Sequence, residues 1–385
     1  MAKIKLTFPV FRHAASVTSG TGSLRVLAED PGVSEMVFLT TAAPAATALI
    51  ARVLDRAGVR LGPENHLTKA PGEPDAAGVT AAARFLDRHP ARQLVAIGGG
   101  SVLDWARLAW ATQAGLLDPL TGQLRSQDPG SARPRFWLVP TTCGTGAEAA
   151  DVAVFQLPGG AKSAVVTPFF MADRVVLDAR FLESLGRAQL AGFLCDALSH
   201  AIEGFLSLVP VPLGKEAAIS ALHTILAHYS APPSPSRLER LLEASFLGGV
   251  AAANCSVGVV HAAAHALAMD GVPHGQANAS GLLDGLRFNG GTAQMTGLLK
   301  RLGLRDVNEL AERVKPVVAD ALAGIAPDSA VWRLGDEAYR RAVAARMQQD
   351  VAIRSNPRRP ENSQELLTYL TGVQQTVEGL CRVTS

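Results

Sequence analysis

Three of the chain's nine histidines fall in one alanine-rich stretch, HAAAHALAMDGVPHGQANAS, His261–Ser280. His261 and His265 are four residues apart and share one face of a helix. His274 follows a Gly-Val-Pro break and belongs to the next element. A second pair with the same spacing, Asp196 and His200, lies in GFLCDALSHAIEGF. Two readings are open. Each pair alone is a locally satisfied set of helix polar groups, as i,i+4 ion pairs often are. Taken together, Asp196, His200, His261 and His274 offer one carboxylate oxygen and three imidazole nitrogens. That set suits a divalent Zn²⁺ or Fe²⁺ acting as a Lewis acid. His265, one turn from His261, is then left over as a supporting group or a proton carrier. His13, His66, His89, His223 and His228 are scattered and receive no role.

Two glycine-bearing loops could hold phosphate. VAIGGGSVLDWAR, Val95–Arg107, is a strand, three glycines and a serine, then a helix. Backbone N–H groups can approach an anion closely there, and the helix points its positive end at the same place. The loop has neither GxGxxG spacing nor the Gly-Lys-Ser/Thr ending of a P-loop. By itself it is equally a tight strand–helix turn. VPTTCGTGAE, Val139–Glu148, again follows a strand and adds the hydroxyls of Thr141, Thr142 and Thr145. Two such loops on neighbouring strands suit an extended ligand such as a dinucleotide at the switch point of a parallel sheet.

These groups need a scaffold, and the rest of the chain describes one. At 385 residues it exceeds the usual size of one hydrophobic core, which predicts two domains. Strand-like runs at Met36–Thr40, Gln93–Ile97, Phe136–Val139 and Arg174–Leu177 alternate with helical stretches near Ala45–Ala57 and Val102–Thr112. That alternation predicts an α/β domain with a parallel sheet. The Gly-, Pro- and Ser-rich segment from Gly115 to Arg135 reads as a surface excursion. From about Arg187 the pattern is helical, with breaks at Val209–Gly214, Ala231–Arg237, Gly271–Pro273 and Asn289–Gly291. The domains are therefore expected at 1–185, α/β and dinucleotide-binding, and 186–385, all-α and metal-binding.

Several function classes are disfavoured. The formal net charge of +2 gives no electrostatic case for nucleic acid or a membrane surface. Four widely spaced cysteines, with no CxxC pair, argue for a reducing compartment. The N-terminus lacks the apolar core of a signal peptide. Phe246–Met269 is long and weakly apolar, but Asn254, Ser256, His261 and His265 interrupt it. Buried helices explain it better than a bilayer span. The expected location is the cytoplasm.

In their order along the chain, GGGSVLDWAR, PTTCGTGAEA, GFLCDALSHAIEG, HAAAHALAMDGVPHGQANA and NPRRP resemble the iron-containing, group III alcohol dehydrogenases. That family has a dehydroquinate-synthase-like fold. The resemblance implies an N-terminal NAD(P)-binding domain, a helical C-terminal domain and a metal in the cleft between them. It implies Asp196, His200, His261 and His274 as metal ligands, with His265 as a non-ligand histidine beside nicotinamide and substrate. It implies Gly98, Gly99, Gly100 and Ser101 at the pyrophosphate, and Thr141, Thr142 and Thr145 along the dinucleotide. Lys162, in GGAKSAVVTP, corresponds to a lysine that contacts cofactor hydroxyls. The implied reaction is hydride transfer between nicotinamide and a small-molecule alcohol or aldehyde. The implied assembly is a homo-oligomer, a dimer.

The chain departs from that family's pattern in four places. Thr41 stands about where an Asp often binds the adenosine ribose, which removes a charge that would repel a 2′-phosphate and admits NADPH. Ala147-Glu148-Ala149-Ala150, then Asp151, replaces a Ser-Glu-Val-Thr run, and Ala252 stands about where a large aromatic is often found. Both changes predict a roomier substrate pocket, as for an aldehyde of a natural-product or phosphonate route. The spacing from His261 to His274 is one residue shorter than in several relatives. Two other functions share the fold or the motifs: a sugar-phosphate cyclase and a catalytically silent nucleotide or metal sensor. The first needs several cationic residues near its motifs, which are few here. The second does not explain why every chemical residue is present.

Overall fold

The computed structural model describes residues 10–14, 16–130 and 133–382. They form two compact units, one of residues 13–184 and 233–243, the other of residues 185–232 and 244–382 with 10–12. Two short segments thus lie outside a single cut near residue 185. Hydrogen bonds explain both. Ser19 Oγ donates to Glu243 and the Thr21 N–H to Glu239, which ties residues 233–243 to the sheet unit. Arg12 is paired through its backbone with the Asn254 side chain in both directions.

Among the described residues the sheet unit has ten strands: β1 Ser16–Ser19, β2 Met36–Thr41, β3 His66–Lys69, β4 Gln93–Gly98, β5 Leu117–Asp118, β6 Gln123–Leu124, β7 Arg135–Pro140, β8 Val152–Gln156, β9 Lys162–Val166 and β10 Arg174–Leu177. Six of them form one sheet in the order β1-β10-β7-β4-β2-β3, every pair parallel. The apolar runs of β2, β4 and β7 are buried on both faces, as the interior of a parallel sheet requires. Helices α1 Val26–Glu29, α2 Pro44–Asp55, α3 Ala76–Arg88 and α4 Gly100–Gln113 cover it. Phe38, Ile97, Trp137 and Val176 meet Ile50 and Leu54 of α2 in the core. The segment expected as a surface excursion contains the β5–β6 hairpin. A second hairpin, β8–β9, has no counterpart in the sequence reading.

The strand order reverses between β2 and β4, so the switch point lies at their C-terminal ends. Thr40 pairs with Ile97, and Gly98 with Pro140. The loops leaving β2, β4 and β7 are therefore neighbours.

The helical unit contains α5 Arg187–Leu206, α6 Pro212–His228, the part of α7 Pro235–Cys255 from residue 244 onward, α8 Val259–Ala268, α9 His274–Phe288, α10 Ala293–Leu302, α11 Val307–Leu322, α12 Glu337–Gln349 and α13 Ser363–Arg382. Helix α5 is buried nearly all round, which marks a central helix. Small residues let its neighbours approach. A Cβ on Gly248 of α7 would stand 2.9 Å from the Ala197 carbonyl oxygen, and one on Gly204 would stand 3.1 Å from Ala251. Among the described residues no single helix is long and apolar enough to cross a membrane. Helices α7 and α8 meet that length only jointly, and they are bent by 100° at their break. The break holds Ser256, the one non-glycine residue at positive φ among those described, 71°. The sequence reading placed no break there.

Candidate metal centre and dinucleotide loops

Three helix segments bring the four predicted ligands together. Asp196 and His200 are one turn apart on α5, His261 lies in the first turn of α8, and His274 opens α9. Their Nε2 atoms converge on one atom, Asp196 Oδ1: His200 at 3.7 Å, His261 at 3.4 Å and His274 at 3.5 Å. The ligand atoms of Asp196, His261 and His274 all lie within 4.8 Å of one another. A tetrahedral site with bonds of roughly 2.1 Å has ligand atoms about 3.4 Å apart, so this spacing fits a small divalent cation. His261 Nε2 is buried and makes no hydrogen bond. A metal would satisfy that orphaned nitrogen.

The surroundings favour charge at this point. Asp196 is buried, which opposes ionisation, but His200 and His274 outweigh this and hold its carboxyl well below the usual range. Burial lowers His261, yet the Asp196 and Glu203 carboxylates push it up to about 9. The Asn278 amide donates to Asp196 Oδ1 at 2.9 Å and holds that carboxylate in place. Asp196 and His200 are buried, 2% and 8% exposed, so they are not an ion pair on a solvated helix surface.

Glycine is required where α9 meets α5. A Cβ on Gly275 would collide with the Gly192 carbonyl, so the residue after His274 must be bare for that ligand to reach its place. His265 does not converge on Asp196. Its Nδ1 lies 2.8 Å from Asp350 Oδ2, and its ring stacks on His274 with centroids 5.7 Å apart. Burial, offset in part by Asp350, lowers its pKa.

In the sheet unit, Gly98 ends β4, Gly99 caps α4, and Gly100 and Ser101 form its first turn. A Cβ on Gly98 would meet Val102 at 2.5 Å, and one on Gly100 would meet Thr145 Oγ1 at 2.7 Å. Thr142 lies 3.5 Å from the Cβ position of Gly99. The two loops therefore touch, and at Gly100 only a glycine allows it. The first N–H groups of α4 are left for an anion. Thr41 ends β2, beside Lys69 of β3 in register. Lys162 starts β9, exposed, with Nζ 3.5 Å from Glu73.

Two residues given no role in the sequence reading lock this arrangement. Asp104 Oδ2 accepts the Val154 N–H, and its Oδ1 accepts from Arg107 at 2.6 Å. The buried Arg107 donates to the Ala150 and Phe170 carbonyls. Helix α4 is thereby fastened to the chain that follows the threonine loop. Glu148, also buried, lies in that loop, and burial pushes its carboxyl up to about 7. Asp104 and Arg107 stand in the quoted motif, but nothing in the spacing shows what they grip. Glu203 and Asn278 were equally visible as residues on the ligand helices, three beyond His200 and four beyond His274.

Comparison with known proteins identifies the family. Residues 14–179 match the family described as iron-containing alcohol dehydrogenase, and residues 192–370 match the Fe-containing alcohol dehydrogenase family, C-terminal. The probable alcohol dehydrogenase EutG of Salmonella typhimurium is 32% identical over 78% of this chain and 77% of its own length. The sulfoacetaldehyde reductase of Bilophila wadsworthia is 29% identical over 48% of this chain and 49% of its own. The structure of sulfoacetaldehyde reductase from Bifidobacterium kashiwanohense in complex with NAD+ has a TM-score of 0.83 at 21% identity, covering 96% of this chain and 100% of that one. These findings favour a dehydrogenase over a sugar-phosphate cyclase or a silent sensor. The chain belongs to the iron-containing alcohol dehydrogenase family and is a metal-dependent, NAD(P)-linked oxidoreductase of alcohols and aldehydes.

Proposed function

We propose that Asp196, His200, His261 and His274 hold Zn²⁺ or Fe²⁺, that Gly98–Ser101 with Thr141, Thr142 and Thr145 hold NAD(P), and that His265 handles the proton. The observation that carries this reading is the convergence of three imidazole Nε2 atoms on Asp196 Oδ1 within 3.4–3.7 Å. A metal there supplies Lewis acidity at the substrate oxygen, and NAD(P) supplies the hydride donor or acceptor.

The chain's own residues do the rest. The N-terminal amides of α4 bind pyrophosphate, and the threonine hydroxyls orient the dinucleotide. Lys162 reaches cofactor hydroxyls from its hairpin. Asp350 engages His265 Nδ1, which leaves Nε2 to give or take the proton at the substrate oxygen. Thr41 carries no charge, which favours NADPH. The small residues at Ala147, Ala149, Ala150 and Ala252 suit an aldehyde larger than a short alkanal, such as a functionalised aldehyde of a natural-product or phosphonate route. Two relatives named as sulfoacetaldehyde reductases support a functionalised substrate. Four free cysteines suit a reducing compartment, the cytoplasm, and the working assembly is a homo-oligomer, a dimer.

The test is oxidation of NADPH and NADH with a panel of aldehydes, run beside metal analysis of protein purified without added metal. One equivalent of metal and turnover of a functionalised aldehyde are expected. Protein that binds metal but turns over no aldehyde in the panel would overturn the reading.

A further inference from the structure

We infer that Glu203 is the residue that positions His261 for the metal, an inference that rests on the metal site proposed above. Glu203 is on α5, three residues beyond His200, and is 3% exposed. Its Oε2 lies 2.6 Å from His261 Nδ1. Its Oε1 accepts the Val260 N–H at 2.7 Å, and Oε2 also takes the His261 N–H at 3.3 Å. Both carboxylate oxygens already accept backbone N–H groups of α8, so the short contact is made by Nδ1–H donating to Oε2, and Nε2 is the nitrogen left for a ligand bond. That Nε2 faces Asp196 Oδ1 and makes no hydrogen bond. One helix thus supplies two ligands and the group that selects the ring nitrogen of a third.

The approach is built into the α7–α8 break. A Cβ on Gly258 would fall 2.8 Å from Glu203 Oε1 and 2.5 Å from Asn356 Oδ1. Asn356, the first residue of NPRRP, accepts the Val259 N–H at 3.1 Å. Helix α8 has no capping side chain of its own. Its first three N–H groups end on Asn356 and Glu203 instead. Both residues cap the helix, but Glu203 alone reaches the imidazole.

That difference supplies the experiment. The full chain is stripped of metal and titrated with Co²⁺ against a competing chelator, with the visible absorption of the bound ion recorded. Wild type should take up one Co²⁺ per chain. E203Q keeps an acceptor for the Val260 N–H but places an amide N–H against Nδ1 or leaves it unheld. It should bind Co²⁺ about ten- to a hundredfold more weakly, with a changed spectrum. N356A removes a cap from the same helix and should lower Tm while leaving Co²⁺ affinity near that of wild type. If E203Q does not fold, E203D gives the same reading, because its carboxylate is drawn back from Nδ1 by one methylene. E203Q binding Co²⁺ as wild type does overturns the inference alone. Equal weakening in N356A overturns it too, since Glu203 would then be only a cap. A wild type that takes up no Co²⁺ overturns it together with the metal site.

Discussion

His265 Nδ1 and Asp350 Oδ2 stand 2.8 Å apart, so the one histidine of the set that does not face Asp196 has a carboxylate of its own. Two histidines one turn apart on α8 are thereby given different partners and different tasks. His261→Ala should lose both metal and activity, because a ligand is gone. His265→Ala should keep one equivalent of metal and lose about 10²- to 10⁴-fold in kcat, the usual weight of a general acid–base group. Metal analysis beside steady-state kinetics checks this, and loss of metal in His265→Ala would show the division of roles to be wrong.

Gly275→Ala tests the packing of α9 on α5. The added methyl meets the Gly192 carbonyl, so α9 must shift and carry His274 with it. Overpacking of this kind costs about 1–3 kcal/mol. Thermal unfolding should show that loss, and metal content should fall in parallel.

The dinucleotide loops should respond separately. Gly100→Ala sets a methyl 2.7 Å from Thr145 Oγ1 and pushes the two loops apart. The expected result is a raised KM for the nucleotide with metal content unchanged, read by kinetics and metal analysis on one preparation.

Cofactor choice is tested at Thr41. Thr41→Asp places a carboxylate near the ribose, where a 2′-phosphate at about 4 Å would be repelled by about 1–4 kcal/mol. The ratio of kcat/KM for NADPH to that for NADH should drop tenfold or more. A wild type that already prefers NADH strongly would contradict the NADPH assignment.

Stability should depend on pH through Glu148. Burial pushes its carboxyl from 4.5 up to about 7, so between those values the folded chain keeps a proton that the unfolded chain releases. Its contribution to stability is therefore full below about pH 4.5 and is lost as pH rises through 7, by up to about 3 kcal/mol. Glu148→Gln should flatten this part of the Tm–pH curve, and an unchanged curve would exclude the effect.

Much of this was legible because periodicity reports it directly. The strands β2, β4, β7 and β10 are continuous apolar runs, and the helix breaks at Pro and Gly stand where the chain changes direction. The i,i+4 spacing of Asp196 and His200 placed both on one face of α5. Short or weakly apolar elements escaped. HLTK of β3 and SVTS of β1 gain their strand state from parallel partners distant in sequence. The α7–α8 bend escaped as well, since it is made by Ser256 at positive φ followed by a single glycine, Gly258, with no proline to mark it.

By itself the sequence determined which side chains can do chemistry, because residue type and helical spacing are local properties. Only the tertiary structure decided which of them meet. Three imidazoles from α5, α8 and α9 reach one carboxylate oxygen, and for α9 this depends on the bare Gly275, which lets its backbone approach α5. Asp350, with no local signal at all, reaches His265 across 85 positions of chain. Contacts of that kind are made by packing, and packing depends on every element at once.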